Sequence, residues 1–274
     1  NDSTYVVNDD TLYVAGSPIN YGNVTFTKRL VVIGPGYFLS ENPKTQANPS
    51  AATCESVTFA DNSSNGLLMM GMTTSYVYIN GDNITFRRNY ATNWMYIGLN
   101  NTVTNVIISQ NYLYGVTLYQ AGNSNITVSN NIIATYLSAN TGSGATIVNN
   151  VINILTSTSN SLAAYNSIVE NNIIYYGGIY TVSSGNQYFN NMRSSIGGGD
   201  FLPDGNGNQD SVDMSIVFEN PTGTTDGKWK LKPGSPAIGA GTNLYDMGAY
   251  GGLTPYVLSG LPAIPAIYNV SAPT

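Results

Sequence analysis

The hydrophobic residues of this chain fall in short β-branched clusters cut by pairs of Gly, Asn and Ser, and between residues 83 and 191 one phrase keeps returning. It reads NITFRRNYA at 83–91, NVIISQNYL at 105–113, NITVSNNII at 125–133, ATIVNNVI from Ala145 and SIVENNII from Ser167. Aligned on a hinge residue, the copies give Asn89, Asn111, Asn131, Asn150, Asn172 and Asn191, at spacings of 22, 20, 19, 22 and 19 residues. Three positions before the hinge stand Phe86, Ile108, Val128, Ile147, Val169 and Tyr188. Immediately after it stand Tyr90, Tyr112, Ile132, Val151, Ile173 and Met192. Both columns are apolar throughout. Two positions before the hinge come Arg87, Ser109, Ser129, Val148, Glu170 and Phe189, mostly polar, as the outward position of a period-two strand requires.

Helical repeats need apolar runs of ten or more residues at 3.6 spacing, and these are absent from the sequence. The repeats predict an all-β chain, a single-stranded right-handed parallel β-helix with one rung per 19–22 residues. Equivalent residues of successive rungs then stack at about 4.8 Å. Asparagine suits the bend because it tolerates left-handed backbone angles and its amide both donates and accepts, so the six hinge residues are expected to form a ladder. The solenoid is expected to occupy residues 1–252, with surface loops at 41–53 and 197–215. An extended tail with four prolines would follow at 253–274.

The chain resembles the right-handed parallel β-helix repeat proteins of pectin-lyase-like architecture, especially the secreted ones of Bacteroidetes-type bacteria. The resemblance covers nearly the whole length. It is carried by DTLYV (10–14) with KRLVVIGPGYFLSENP (28–43), by the hinged rungs, and by WKLKPGSPAIGAG…DMGAYGG (229–252). Members often open with an amphipathic helix that caps the solenoid, whereas NDSTYVVNDD carries none, so an open first rung and homotypic end-to-end contacts are expected. The resemblance also implies secretion or cell-surface display, consistent with a chain that opens at Asn1 without Met or an apolar signal segment, as a processed or truncated product would.

Composition narrows the chemistry. Charged residues make up 9% of the 274, the net charge is −6, and neither a basic nucleic-acid surface nor an apolar run of roughly 18 residues for a membrane span is present. Zero histidine removes Ser-His-Asp systems and histidine metal sites, and Cys54 as the sole cysteine removes disulfides and thiolate cages. Many proteins of the resembling fold are polysaccharide lyases or hydrolases, which makes that activity the alternative to a non-catalytic adhesive or structural module. Yet between Arg88 and Arg193 Glu170 is the sole charged residue, where paired carboxylates or a base beside a cation would be needed. Arg87 and Arg88 with Asp82, and Lys28 with Arg29, read as solvated strand ends.

Two other constellations are candidates. In DGNGNQD, the oxygen ligands Asp204, Asn206, Asn208 and Asp210 alternate as calcium loops do, although Ser215 stands where a closing glutamate belongs; calcium is the one cofactor suggested. Tyrosines supply the second: Tyr114 and Tyr175 lie three positions past their hinges, Tyr119 and Tyr180 eight past. Two stacked aromatic columns are expected, able to contact a polysaccharide or a protein partner.

Overall fold

The structure, a computed structural model, is described at residues 5–41, 48–139, 144–155, 160–180, 184–219 and 223–259. Prolines 262, 265 and 273 of the tail, and residues 42–47 of the 41–53 loop, lie outside the described residues; within that loop the strand Thr53–Phe59 already begins at Thr53.

Every named strand pairing is parallel, and the strands stack into a β-solenoid of two sheets with nine and thirteen strands. In the nine-stranded sheet Phe86, Ile108, Val128, Ile147, Val169 and Tyr188 sit in register on successive rungs, all buried. Their neighbours on either side face out, as the pleat dictates. Among the described residues the helical elements are three short 3-10 turns.

The asparagine ladder forms as expected. Asn89, Asn111, Asn131, Asn150, Asn172 and Asn191 are each 0% exposed. Each backbone N–H donates to Oδ1 of the next member, as Asn111 does to Asn131 and Asn131 to Asn150, both at 2.9 Å. Each Nδ2 also reaches a main-chain carbonyl, as Asn131 does to Ile108 at 2.9 Å. One expectation is corrected: left-handed angles belong to the residue before each ladder member. Arg88, Gln110, Asn130, Asn149, Asn171 and Asn190 have φ between 49° and 58°, while the ladder asparagines do not. The bend is thus made by one residue and bolted by the next. A second, exposed ladder runs through Asn83, Asn105 and Asn125, joined amide to carbonyl at 2.9 and 2.5 Å.

The apolar column after the hinge does not enter the solenoid interior. Ile132, Val151, Ile173 and Met192 belong to a separate cluster with Met214, Trp229 and Met247, because alternation turns them outward and the C-terminal segment covers them. Fully burying such side chains stabilises by about 1.5–3 kcal/mol each. This strap, described at 213–219 and 223–259, runs back along the solenoid from the rung of Asn190 towards Tyr37. The left-handed column holds it by one side chain and several backbone carbonyls. Asn190 Nδ2 donates to Thr242 Oγ1 at 2.8 Å, Asn149 Nδ2 to the Asp246 carbonyl at 3.0 Å, and Asn130 Nδ2 to the Gly251 carbonyl at 2.8 Å. Gln110 Nε2 ends the series on the carbonyls of Thr254 and Pro255.

Gly248 shows how tightly the strap lies. Its φ is +78°, and a Cβ there would meet Ile173 Cδ1 at 2.8 Å and Val151 Cγ2 at 3.3 Å. Beyond it, Tyr37 and Tyr256 share a hydroxyl–hydroxyl hydrogen bond of 2.5 Å, and buried Asp226 accepts from Ser259 N at 2.6 Å and from Tyr256 at 3.3 Å. Burial raises the Tyr37 and Tyr256 phenols well above their ordinary range, so both stay protonated donors.

Candidate functional site

Of the four tyrosines singled out from the sequence, the structure rearranges the columns. Leu113, Ile133, Ile152 and Ile174 pair rung to rung, which puts Tyr114 and Tyr175 at one strand position with Ala134 and Asn153 between them. The two rings therefore do not stack. Tyr175 packs against Tyr176, Phe218 and Trp229, partly under the strap. Tyr119 and Tyr180 are not in one column: Val116 pairs with Leu137, Leu137 with Leu162 and Leu162 with Ile179, so Tyr180 lies one residue past that row and Tyr119 three. Counting from the hinge fails because the rungs differ in length between their two paired rows, Leu113 to Val116, Ile133 to Leu137, Ile152 to Leu162 and Ile174 to Ile179.

A larger aromatic group stands where the thirteen-stranded sheet faces outward. Strands Thr73–Ile79 and Tyr90–Ile97 bury Val77, Ile79, Met95 and Ile97, and strict alternation turns Tyr76, Tyr78, Trp94 and Tyr96 to the other face. Ring centroids are 6.3 Å apart for Tyr76–Tyr78, 5.4 Å for Tyr78–Tyr96 and 5.6 Å for Tyr96–Tyr119. Trp94 meets Tyr114 at 5.4 Å and Tyr136 at 5.9 Å, both edge to face. Trp94 can occupy that seat because the neighbouring rung carries Gly115, where a Cβ would come within 2.3 Å of the indole Cζ3. Seven half-exposed or exposed rings thus line this face in two contact groups, Tyr76, Tyr78, Tyr96 and Tyr119, and Trp94, Tyr114 and Tyr136, which adjoin where Tyr76 and Trp94 precede the paired Val77 and Met95.

Its electrostatics are neutral. Strands Thr53–Phe59, Thr73–Ile79, Tyr90–Ile97, Tyr112–Leu118 and Leu137–Ala139 contain one charged residue, Glu55. Desolvation, aided by Tyr119, Tyr78 and Tyr76, holds the Tyr96 phenol above its ordinary pKa, so its hydroxyl presents a donor at neutral pH. Tyr76 and Tyr78 were legible in SYVYIN (75–80), where aromatics two apart flank a buried aliphatic residue.

The DGNGNQD segment is built into the solenoid. Asn208 is a seventh ladder member: its Oδ1 accepts from Asn191 N and Nδ2 at 3.0 and 3.1 Å. Asp210 is bonded to buried Arg193 at 2.9 Å and accepts from Leu202 N at 2.6 Å, seating Leu202 in the solenoid interior. Asp204 and Asn206 are exposed. Asn208 and Asp210 thus already use their oxygens on Asn191, Arg193 and Leu202, and among the described residues no group of three or more His, Cys, Asp and Glu is placed to hold a metal ion. Removing one partner of a buried ion pair is costly, so Asp210→Ala is expected to lose about 3 kcal/mol and Asp204→Ala less than about 0.5, read by urea unfolding in chelator.

The remaining charged candidates are dispersed. Asp82 accepts from Thr104 N at 2.7 Å, Arg87 faces out from the nine-stranded sheet, and burial lowers the pKa of Arg88. Lys28 donates to the Val6 carbonyl, and Arg29 pairs with exposed Asp9 at 2.5 Å. Burial pushes the Cys54 thiol up to about 11, away from thiolate chemistry. No helix among the described residues is long and apolar enough to cross a membrane.

Comparison with known protein families, curated proteins and solved structures finds no match to this chain. The structure itself defines the class, a parallel β-solenoid repeat protein with buried asparagine stacks.

Proposed function

We propose that the chain is a non-catalytic, secreted or surface-displayed module of the pectin-lyase-like β-helix type that contacts carbohydrate through its aromatic platform. The observation that carries this reading is the platform from Tyr76 to Tyr136, seven rings on a rigid sheet in an almost charge-free field. Sugar rings present C–H faces that stack on aromatic faces, while phenol, indole and threonine groups at the edges meet their hydroxyls. A sheet scaffold fixes the rings in place, so little conformational entropy is lost on binding.

The test is a glycan array with the Trp94→Ala, Tyr96→Ala double variant. Removing two stacking rings is expected to weaken binding at least tenfold, while the loss of their packing on Tyr78, Tyr114, Tyr119 and Tyr136 lowers the melting point and leaves a cooperative melt. Equal binding by variant and parent would end the proposal.

A further inference from the structure

The aromatic platform stands on the thirteen-stranded sheet, and the outward face of the nine-stranded sheet is a separate surface. Alternation sends two residues of each rung to that face. One column runs through Met70, Arg87 and Ser109 to Ser129, then on through Val148, Glu170 and Phe189, each paired with the next. Beside it run Leu68, Thr85 and Ile107, then Thr127, then Thr146, Ile168 and Gln187. Ile107 and Ile168 are 44% and 42% exposed, and Met70, Val148 and Phe189 are half-buried. The strap adds Leu253 at the edge, 81% exposed, beside a cavity of about 270 Å³ that it lines with Ser129. Contiguous apolar surface of this kind marks an interaction site.

Two charges identify the partner. Arg87 and Glu170 are the only charged residues on the nine strands of this sheet. Among the described residues neither is ion-paired within the chain, whose two ion pairs join Arg29 to Asp9 and Arg193 to Asp210. They stand symmetrically about Ser129, Arg87 two rungs before it and Glu170 two rungs after, about 9.6 Å each way. A second copy turned over about a two-fold axis along the strand of Ser129 reverses the order of the rungs and keeps the columns aligned. Each Arg87 then faces the Glu170 of the other copy. The same rotation sets Met70 against Phe189, Ser109 against Val148 and Ile107 against Thr146. Leu253, which lines a cavity with Ser129, lies close to the axis and meets its own counterpart.

We infer that the nine-stranded sheet is the interface of a side-by-side homodimer, its two-fold axis along the strand Ser124–Ser129 and an Arg87–Glu170 ion pair on either side of it. The charges fix the register. Displaced by one rung, the copies would set Arg87 against Val148 and Glu170 against Met70, leaving each charge desolvated without a partner. Seven rungs, two columns wide with a margin on either side, cover roughly 600 Å² per copy and about 1,200 Å² in total, the lower bound of a specific interface. The platforms of both copies stay open, so the dimer offers two of them to one ligand.

The test is sedimentation velocity of the full chain over a concentration series, with thermal melts to verify the fold of each variant. The parent is expected to pass from monomer to dimer and to stop there. Arg87→Glu and Glu170→Arg each set like charges face to face, and each is expected to weaken the dimer by about tenfold or more. Combining the two restores opposite charges, and the double variant is expected to dimerise within about threefold of the parent. A parent that stays monomeric, single variants that dimerise as the parent does, or a folded double variant without recovery overturns the interface. Species that grow past the dimer, or a dimer lost in the Trp94→Ala, Tyr96→Ala variant, also overturn it, because they place the contact elsewhere on the molecule.

Discussion

Replacing Asn131 by leucine is expected to lower the unfolding free energy by about 3–5 kcal/mol, a large part of the 5–15 kcal/mol typical of a folded domain. The side chains are similar in size, so packing is nearly conserved and the loss falls on hydrogen bonds. Oδ1 of Asn131 is the acceptor for both N and Nδ2 of Asn111, at 2.9 and 3.0 Å, and its Nδ2 supplies the Ile108 carbonyl. All these groups are buried, so each orphan bears a desolvation cost of about 1–3 kcal/mol. Asn125→Asp is the control, since the exposed ladder lies in water and aspartate also tolerates a φ of 52°. That change should stay within about 0.5 kcal/mol. Urea unfolding measures both, and a loss below about 1 kcal/mol for Asn131→Leu would remove the ladder from the account of stability.

That contrast marks how far the sequence could be read. The period, the strand pairing and the interior column from Phe86 to Tyr188 follow from alternation and spacing, which a solenoid imposes on every rung. The bend was legible only in part. Two adjacent asparagines occupy most hinges, and nothing in NN says that the first is left-handed while the second is buried; Arg88 and Gln110, which take the left-handed place in two rungs, hint at it. The strap was less legible still. Ile132, Val151, Ile173 and Met192 look like core, and they are, but the side that buries them comes from the strap, more than 20 positions downstream of the last of them. For the site, rung offsets located Tyr114 and Tyr119 on the aromatic face, yet they mispaired Tyr180 because the rungs differ in length after the hinge strand, which only the strand pairing reveals. Asn208 shows the same limit: alternation in DGNGNQD reads as ligands, whereas position relative to Asn191 makes it a rung bolt.

Gly248→Ile is expected to lift the strap while leaving the solenoid interior folded. The backbone there has a φ of +78°, which a β-branched residue adopts at a cost of about 1–3 kcal/mol. The new Cβ would also press on Ile173 and Val151, and overpacking of this kind adds about 1–3 kcal/mol. Together these rival what the amide anchors from Asn130, Asn149 and Asn190 contribute at about 1 kcal/mol apiece. The interior cluster from Val32 to Leu202 and the cluster under the strap are separate, so the two can open at different free energies. Hydrogen exchange on the variant should show the strap amides of Met247, Gly248 and Tyr256 losing protection, with the ladder amides of Asn111 and Asn131 still slow. Dye binding should rise as Ile132, Val151, Ile173 and Met192 meet water. If strap and ladder amides exchange together, strap and solenoid are one cooperative unit, and the strap cannot open without unfolding the sheet beneath it.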